Sequence, residues 1–387
     1  MERSRNAVLG LVLGLLAFGV VMIYSSSCVL AERQGRFGDS DFFVRKQLIW
    51  TGISLTVLLA SSWMPSRLWR RASPWLFALS LAMLAVVLVP GIGTKLNGAR
   101  RWFRFGELGL QPSELAKLSL VLFLAWLIDR DPARMRSLWR GTLPCVGAVA
   151  AVCALVVVEP DVGTAVFLAG VSALLLFSAG LRWLHVLPPA ALAVPLVAWA
   201  VTGGWVQAHF PHLDARVRVF LDPGSDPHGK GYQVAQSLIA IGSGGTWGAG
   251  LGLSKQKLLF LPEANTDFIF AIIAEELGLA GALALLAGFL ALLWRLRTLA
   301  VASDRPFGHF VSLGVMLLLG LQTAMNVGVV TASLPNKGIP LPFVSFGGSS
   351  LVFTCLAIGV ALATTRSEES EGSEAIPASE LVEAHAA

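Results

Sequence analysis

The sequence predicts an all-α polytopic membrane protein of ten transmembrane helices, with a large extracytoplasmic loop between helices 7 and 8. Three observations carry that prediction. Of 387 residues, 55% are hydrophobic and only 14% charged, where a soluble domain carries about 25% charge; the mean hydropathy is +0.70. Apolar runs recur at close to the roughly 20 residues a membrane span needs. Lys and Arg gather in alternate loops, as the positive-inside rule requires.

The runs lie at 8–27, 47–63, 74–91, 113–129, 141–158, 162–180, 183–202, 268–294, 309–332 and 349–365. The first is long for a signal-peptide core and lacks a small-x-small exit, so it reads as a span. The fifth and sixth are separate because Glu159-Pro160-Asp161 is a polar turn and Pro160 breaks a helix. Pro188, Pro189 and Pro195 are expected to kink the seventh, with Gly203-Gly204 after it. That makes it a candidate mobile gate on the lipid side.

Arg3 and Arg5, then Arg67, Arg70 and Arg71, then Arg130, Arg134, Arg136 and Arg140, then Arg182, then Arg295, Arg297 and Arg305 all fall on one side. Both termini are therefore expected in the cytoplasm. Residues 1–366 read as one integral-membrane domain, with the outer loop at about 203–266. Its apolar segments, Tyr232–Ile241 and Leu258–Leu261, predict that it packs. Residues 367–387 carry Glu368, Glu369, Glu371, Glu374, Glu380 and Glu383 without apolar periodicity and read as a disordered, acidic cytoplasmic tail.

Several chemistries are excluded. Cys28, Cys145, Cys153 and Cys355 form no CxxC pair, and the six histidines make no HExxH. No dedicated metal site is expected. No GxSxG elbow appears, and nothing suggests nucleic acid.

Ionisable residues beside apolar spans are costly and mark function. One outer loop breaks the charge rule with Lys95, Arg100, Arg101 and Arg104. These cations face either anionic headgroups or an anionic substrate. Gln111-Pro112-Ser113-Glu114 opens the fourth span, with Ser113 read as its cap. Glu114 and Lys117 share a helix face. They either pair with each other or send Lys117 outward to an anion. Glu263 and Asp267 stand at the mouth of the eighth span. Asp267 is either a complement to the helix dipole or a partly desolvated base. Glu275 and Glu276, deeper in that helix, are expected to face the interior, protonated or paired. The loop from Pro335 to Ser350 combines Lys337 with prolines and small residues that let backbone N–H groups approach a phosphate.

Five blocks carry a resemblance: Asn97–Trp102, Gln111–Lys117, Gly229–Ala240, Leu261–Phe268 and Lys337–Ser350. In that order they resemble the SEDS family (shape, elongation, division and sporulation) across the membrane region. Ser254–Lys257 and Pro335–Gly338 look more like its division-type (FtsW-like) branch than its elongation-type (RodA-like) branch. Two positions depart from the family pattern: Asn265 where many relatives have histidine, and Phe346 where tyrosine is usual.

The resemblance implies the SEDS fold and a peptidoglycan glycosyltransferase that polymerises lipid II, a disaccharide-peptide on a polyprenyl pyrophosphate. It implies a class B penicillin-binding protein transpeptidase as partner, among other divisome membrane proteins, in the bacterial cytoplasmic membrane. Asp267 matches the family's essential aspartate and becomes the expected general base. Arg100, Arg101, Trp102, Gln111, Ser113, Glu114, Lys117, Glu263, Lys337, Ser345 and Ser349 become the expected substrate-binding set. A divalent cation, Mg or Mn, is expected only with the substrate pyrophosphate. A lipid II flippase and a non-catalytic divisome scaffold are the competing readings.

Overall fold

The computed structural model describes residues 2–33, 41–96, 99–105, 108–185, 211–222 and 229–365, with 191, 204 and 226. Three long helices come first: α1 (Glu2–Arg33), α2 (Phe42–Trp63) and α3 (Ser66–Val87). A small antiparallel sheet follows, β1 (Thr94–Leu96), β2 (Ala99–Phe105) and β3 (Leu108–Leu110), in the order β1-β2-β3. Next are α4 (Pro112–Arg130), α5 (Leu143–Val158) and α6 (Val162–Ser178), then two outer-loop helices, α7 (Pro211–Leu221) and α8 (Lys230–Gly244). The chain closes with α9 (Ile269–Val301), α10 (Pro306–Val330) and α11 (Gly348–Thr364).

Among the described residues, six helical runs are long and apolar enough to cross a membrane: α1, α2, α3, Leu138–Val158, α9 and α10. The shorter α6 and α11 are also apolar. The chain is a multi-pass membrane protein. The 19-residue α4 carries Glu114, Lys117, Asp129 and Arg130, yet most of its residues are buried in protein rather than in lipid. That position lets it hold charges a lipid-facing helix would not tolerate.

Lipid tails are as apolar as leucine, so close approach of small residues joins the helices. A Cβ at Gly359 of α11 would run into Leu58 and Ser61 of α2, and one at Gly314 of α10 into Val121 of α4. The Ser119 hydroxyl of α4 donates to the Ser80 hydroxyl of α3 at 2.8 Å. At the end of the bundle away from the sheet, Arg70 Nε donates to Asp129 Oδ2 at 2.5 Å. Asp129 Oδ1 accepts the Phe307 N–H at 3.1 Å, tying α3, α4 and α10 together.

The structure corrects the sequence reading in four places. The third helix starts at Ser66 and continues through Pro74, which has no N–H and leaves the Arg70 carbonyl without its helical donor. The loop before α4 is a sheet, whose short strands of 3, 7 and 3 residues are too brief to show an alternating pattern. Ser113 does not cap α4. Gln111 is the N-cap and Pro112 occupies the first turn, so Ser113 stands two positions past the cap, its hydroxyl buried without a partner.

The eighth span is not continuous. At Gly278 the backbone turns to φ 69°, ψ −170°, dividing α9 into 269–277 and 279–301. The outer-loop segment after α8 repairs the break. Ala249 and Gly250 N–H donate to the Glu275 and Glu276 carbonyls at 2.9 and 3.0 Å, and Leu279 and Ala280 N–H donate to Gly245 and Thr246 at 2.9 and 3.1 Å. A broken helix survives at membrane depth only when its freed groups find such partners. Residues 279–301, about 34 Å long at 1.5 Å per residue, still suffice to cross the hydrocarbon core.

The seventh predicted span, with Pro188, Pro189 and Pro195, falls almost wholly outside the described residues, as does the tail 367–387.

Candidate functional site

At the sheet end of the bundle a cavity of about 690 Å³ opens between the helices. Six cationic side chains line it, Lys46, Arg101, Arg104, Lys117, Arg216 and Lys337, against four carboxylates, Glu114, Asp161, Glu263 and Asp267. The balance favours an anion. Backbone dipoles add to it: the N-terminal residues of α4 (Gln111), α6 (Asp161, Thr164), α9 (Asp267, Phe268) and α11 (Gly347–Ser350) all face the same space. Helix N-termini carry partial positive charge and unpaired N–H groups.

Asp267 sits half-buried in the turn before α9. The Asn326 amide of α10 fixes its backbone, donating to the Asp267 carbonyl at 2.8 Å and to the Ile339 carbonyl at 2.7 Å. The Gly338 backbone lies against the carboxylate so closely that a Cβ there would collide with it. Among the described residues no hydrogen bond or ion pair reaches the carboxylate oxygens. Burial first, then the charge of Glu263, pushes the Asp267 carboxyl up to about 7, while Lys337 and Arg216 hold it down. A carboxylate with that basicity takes up a proton near neutral pH, which suits proton abstraction.

Lys337 comes from the loop between α10 and α11. Its Nζ donates to the Thr164 hydroxyl at 3.0 Å and lies 3.4 Å from Asp161 Oδ1. Burial pulls its pKa down to about 8 against the attraction of Asp161, with Lys117 and Arg216 assisting the fall. Arg101 grips the same turn: Nε donates to the Glu159 carbonyl (3.0 Å), an Nη to the Pro160 carbonyl (2.5 Å), and the other Nη lies 3.7 Å from Asp161. Burial pulls the Asp161 carboxyl up, but Lys337, Arg101 and the Thr164 N–H and hydroxyl outweigh it and hold it below the usual carboxylate range.

Lys117 bonds Glu114 Oε2 at 2.7 Å, so the two do pair. Lys117 also donates to the Gln322 amide oxygen at 3.2 Å, and Gln322 donates to the Pro340 carbonyl at 2.9 Å. The pair therefore faces the cavity and braces the loop that carries Lys337. Trp102 lines the wall with its ring packed over Gly109, and Ser349 accepts the Gln111 N–H at 3.3 Å.

The cavity thus collects Arg101, Trp102, Gln111, Glu114, Lys117, Glu263, Asp267, Lys337 and Ser349 from four of the five sequence blocks. Three expected residues stand elsewhere. Arg100 pairs with Lys95 near the tip of the β1–β2 hairpin, away from the lining. Ser113 is buried in α4. Ser345 is an internal brace: its hydroxyl donates to the Thr266 carbonyl (2.6 Å) and accepts the Leu341 N–H (2.8 Å).

Asp161, Arg216, Gln322 and Asn326 are not singled out as site residues by the sequence, and Gln233 and Asn336 stand in motif stretches without an assigned role. Asn336 donates to Gln233 at 3.1 Å and so ties the last loop to α8. A signal for two of these existed. Gln322 and Asn326 are amides four apart in an apolar span, hence on one face and costly unless used. In the sequence alone Asp161 reads as part of a helix-breaking turn. The two departures from the family pattern are neighbours: the Phe346 N–H donates to the Asn265 carbonyl at 2.9 Å.

Comparison with known proteins identifies the family. A sequence model of the FtsW/RodA/SpoVE family, described as cell cycle protein, matches residues 6–370. The chain is 40% identical to a probable peptidoglycan glycosyltransferase FtsW of Trichlorobacter lovleyi, over 91% of this chain and 90% of the relative. A chain from a solved structure of a peptidoglycan synthase complex that coordinates polymerization and crosslinking superposes with TM-score 0.74 at 32% identity, covering 93% of this chain and 96% of that one. The rod shape determining protein RodA of Thermus thermophilus superposes with TM-score 0.67 at 29% identity, covering 93% and 95%. The chain belongs to the FtsW/RodA/SpoVE family of cell cycle proteins.

Proposed function

We propose that this protein is a peptidoglycan glycosyltransferase that polymerises lipid II during cell division, at the outer face of the bacterial cytoplasmic membrane. The observation that carries the reading is a cavity in which an unpaired, half-buried carboxylate meets an excess of cations. The relative from Trichlorobacter lovleyi bears the name of that activity and supports it.

In the proposed reaction the acceptor sugar hydroxyl gives its proton to Asp267 as its oxygen attacks the donor sugar's anomeric carbon. The bond from that carbon to the pyrophosphate breaks, and the electron pair stays on the phosphate oxygen. Lys337, Lys117 and Arg101 stabilise that departing charge, a preorganised electrostatic role worth several kcal/mol in such sites. A single displacement needs one carboxylate, unlike the paired carboxylates of a retaining glycosidase. Among the described residues no group of three or more His, Cys, Asp or Glu could hold a metal ion. A divalent cation is proposed to arrive with the substrate pyrophosphate.

A class B penicillin-binding protein is proposed as partner, by analogy with the solved synthase complex. Ten spans with both termini cytoplasmic put the cavity on the outer side, where the polymer is laid down. The deciding experiment is lipid II polymerisation by the purified protein with its cognate transpeptidase, wild type against Asp267→Asn. Strands from the first and none from a folded second support the reading. Equal product from both removes Asp267 from the mechanism. No product from either, in an intact complex, turns the assignment toward lipid II transport or scaffolding.

A further inference from the structure

Lys337 occupies a built slot. Its stem lies against Gly163, where a Cβ would strike the side chain, and its Nζ is held by Asp161 and by the Thr164 hydroxyl. Asp161 is itself fixed as the N-cap of α6: Oδ1 accepts the Thr164 N–H at 3.1 Å, and Oδ2 accepts the Thr164 hydroxyl at 2.9 Å. The residue after Lys337, Gly338, touches the Asp267 carboxylate. A lysine one residue from the base, in a low-dielectric site, has an obvious ion-pair partner in Asp267. It is turned instead toward Asp161.

We propose that Asp161 is a positioning residue that diverts Lys337, with Arg101, away from Asp267 and so keeps the base uncompensated. The inference rests on the polymerase reading and deepens it. An ion pair with Lys337 would make Asp267 a weak base and would withdraw the lysine from the leaving group. Held by Asp161, the same lysine stays charged and faces the cavity. Other charges bear on Asp267 as well. Glu263 in its own turn repels a second negative charge, and Arg216 of α7 attracts one. Lys117 and Glu114 across the cavity are spent largely on each other. Arg101 is anchored on the α5–α6 turn. Lys46 and Arg104 line the wall. Of the cations acting on Asp267, Lys337 exerts the larger pull, and its direction is set by Asp161.

The test follows the carboxyl directly. The infrared C=O stretch of protonated Asp267, assigned by its loss in Asp267→Asn, is titrated in wild type and in Asp161→Asn. With Asp161 neutral, Lys337 turns to Asp267, and the midpoint is expected to fall by about one pH unit or more, the scale of an opposite charge at contact. The acid limb of the polymerisation rate is expected to move down with it, while kcat falls about ten-fold or more and KM changes little. Thr164→Val, which removes only the shared hydroxyl, is expected to shift the midpoint the same way by less, and it serves if Asp161→Asn fails to fold. Asp161→Glu, which keeps the charge, is expected to recover part of the rate. An unchanged midpoint in the folded variants overturns the proposal. Absence of polymerisation by wild type, with the midpoint still shifting, counts instead against the polymerase reading.

Discussion

The turn before α9 and the first half of that helix carry two carboxylate clusters with opposite fates. In the closed one, Glu276 bonds Lys257 Nζ at 2.9 Å and the Ser25 hydroxyl of α1 at 2.5 and 2.7 Å. Its neighbour Glu275 takes the Ser254 hydroxyl and the Lys255 (2.9 Å) and Gln256 (3.4 Å) N–H groups. All of these carboxylate oxygens have partners, and none of these side chains lines the cavity. In the open cluster, Asp267 is left without a partner while Lys337, Lys117 and Arg101 beside it are held by Asp161, Glu114 and backbone carbonyls. Satisfied charges fix the outer loop to the bundle. The charge left unsatisfied is the one available for chemistry.

The sharpest way to break this contrast is at Asp267. Asp267→Asn is expected to lower the polymerisation rate about 10²- to 10⁴-fold, the usual contribution of a positioned base, with an unchanged melting temperature. Lys337→Met is expected to cost about 10²- to 10³-fold in kcat, comparable to removing one preorganised transition-state donor. Lipid II turnover at saturating substrate measures both. An equal loss of rate from Glu276→Gln would erase the distinction between the two clusters.

The pH profile sharpens it further. Asp267 acts when ionised, so the rate is expected to rise as pH passes about 7. Lys337 acts when protonated, so the rate is expected to fall as pH passes about 8. A narrow optimum between those values is the outcome; a plateau extending to pH 10 would remove Lys337 from charge stabilisation.

The closed cluster is expected to answer in stability instead. Lys257→Met leaves Glu276 buried without its cation, a loss of about 3–5 kcal/mol for a broken buried pair, read as a lower melting temperature. Replacing both partners with apolar residues is expected to recover part of it. The smallest effect is expected at Ser345→Ala. It removes the loop brace for roughly 1 kcal/mol and leaves KM for lipid II nearly unchanged, because the side chain stands behind the cavity wall.

Much of this arrangement was legible in the chain. Long apolar runs and the order of the motif blocks pointed to most of the helices and to Asp267, Lys117 and Lys337, because burial of charge in a membrane protein is rare enough to be conspicuous. The less visible parts have local causes. Asp161 looked like a turn residue because its partners lie 60 and 176 positions away, at Arg101 and Lys337. The break at Gly278 is a single glycine in an apolar run, and its repair comes from a remote segment of the outer loop. Ser113 and Ser345 look like binding hydroxyls in a motif, yet their directions are set by Pro112 and by the fold of the last loop.

The splice at Gly278 also has a mechanical consequence. The segment 269–277 is pinned at one end to Gly245–Gly250 and at the other, through Asn326, to the backbone of Asp267. It is a strut about 13 Å long at 1.5 Å per residue, with no slack at either joint. A push on the glycine-rich stretch of the outer loop is therefore expected to move the Asp267 carboxylate as the far end of a lever.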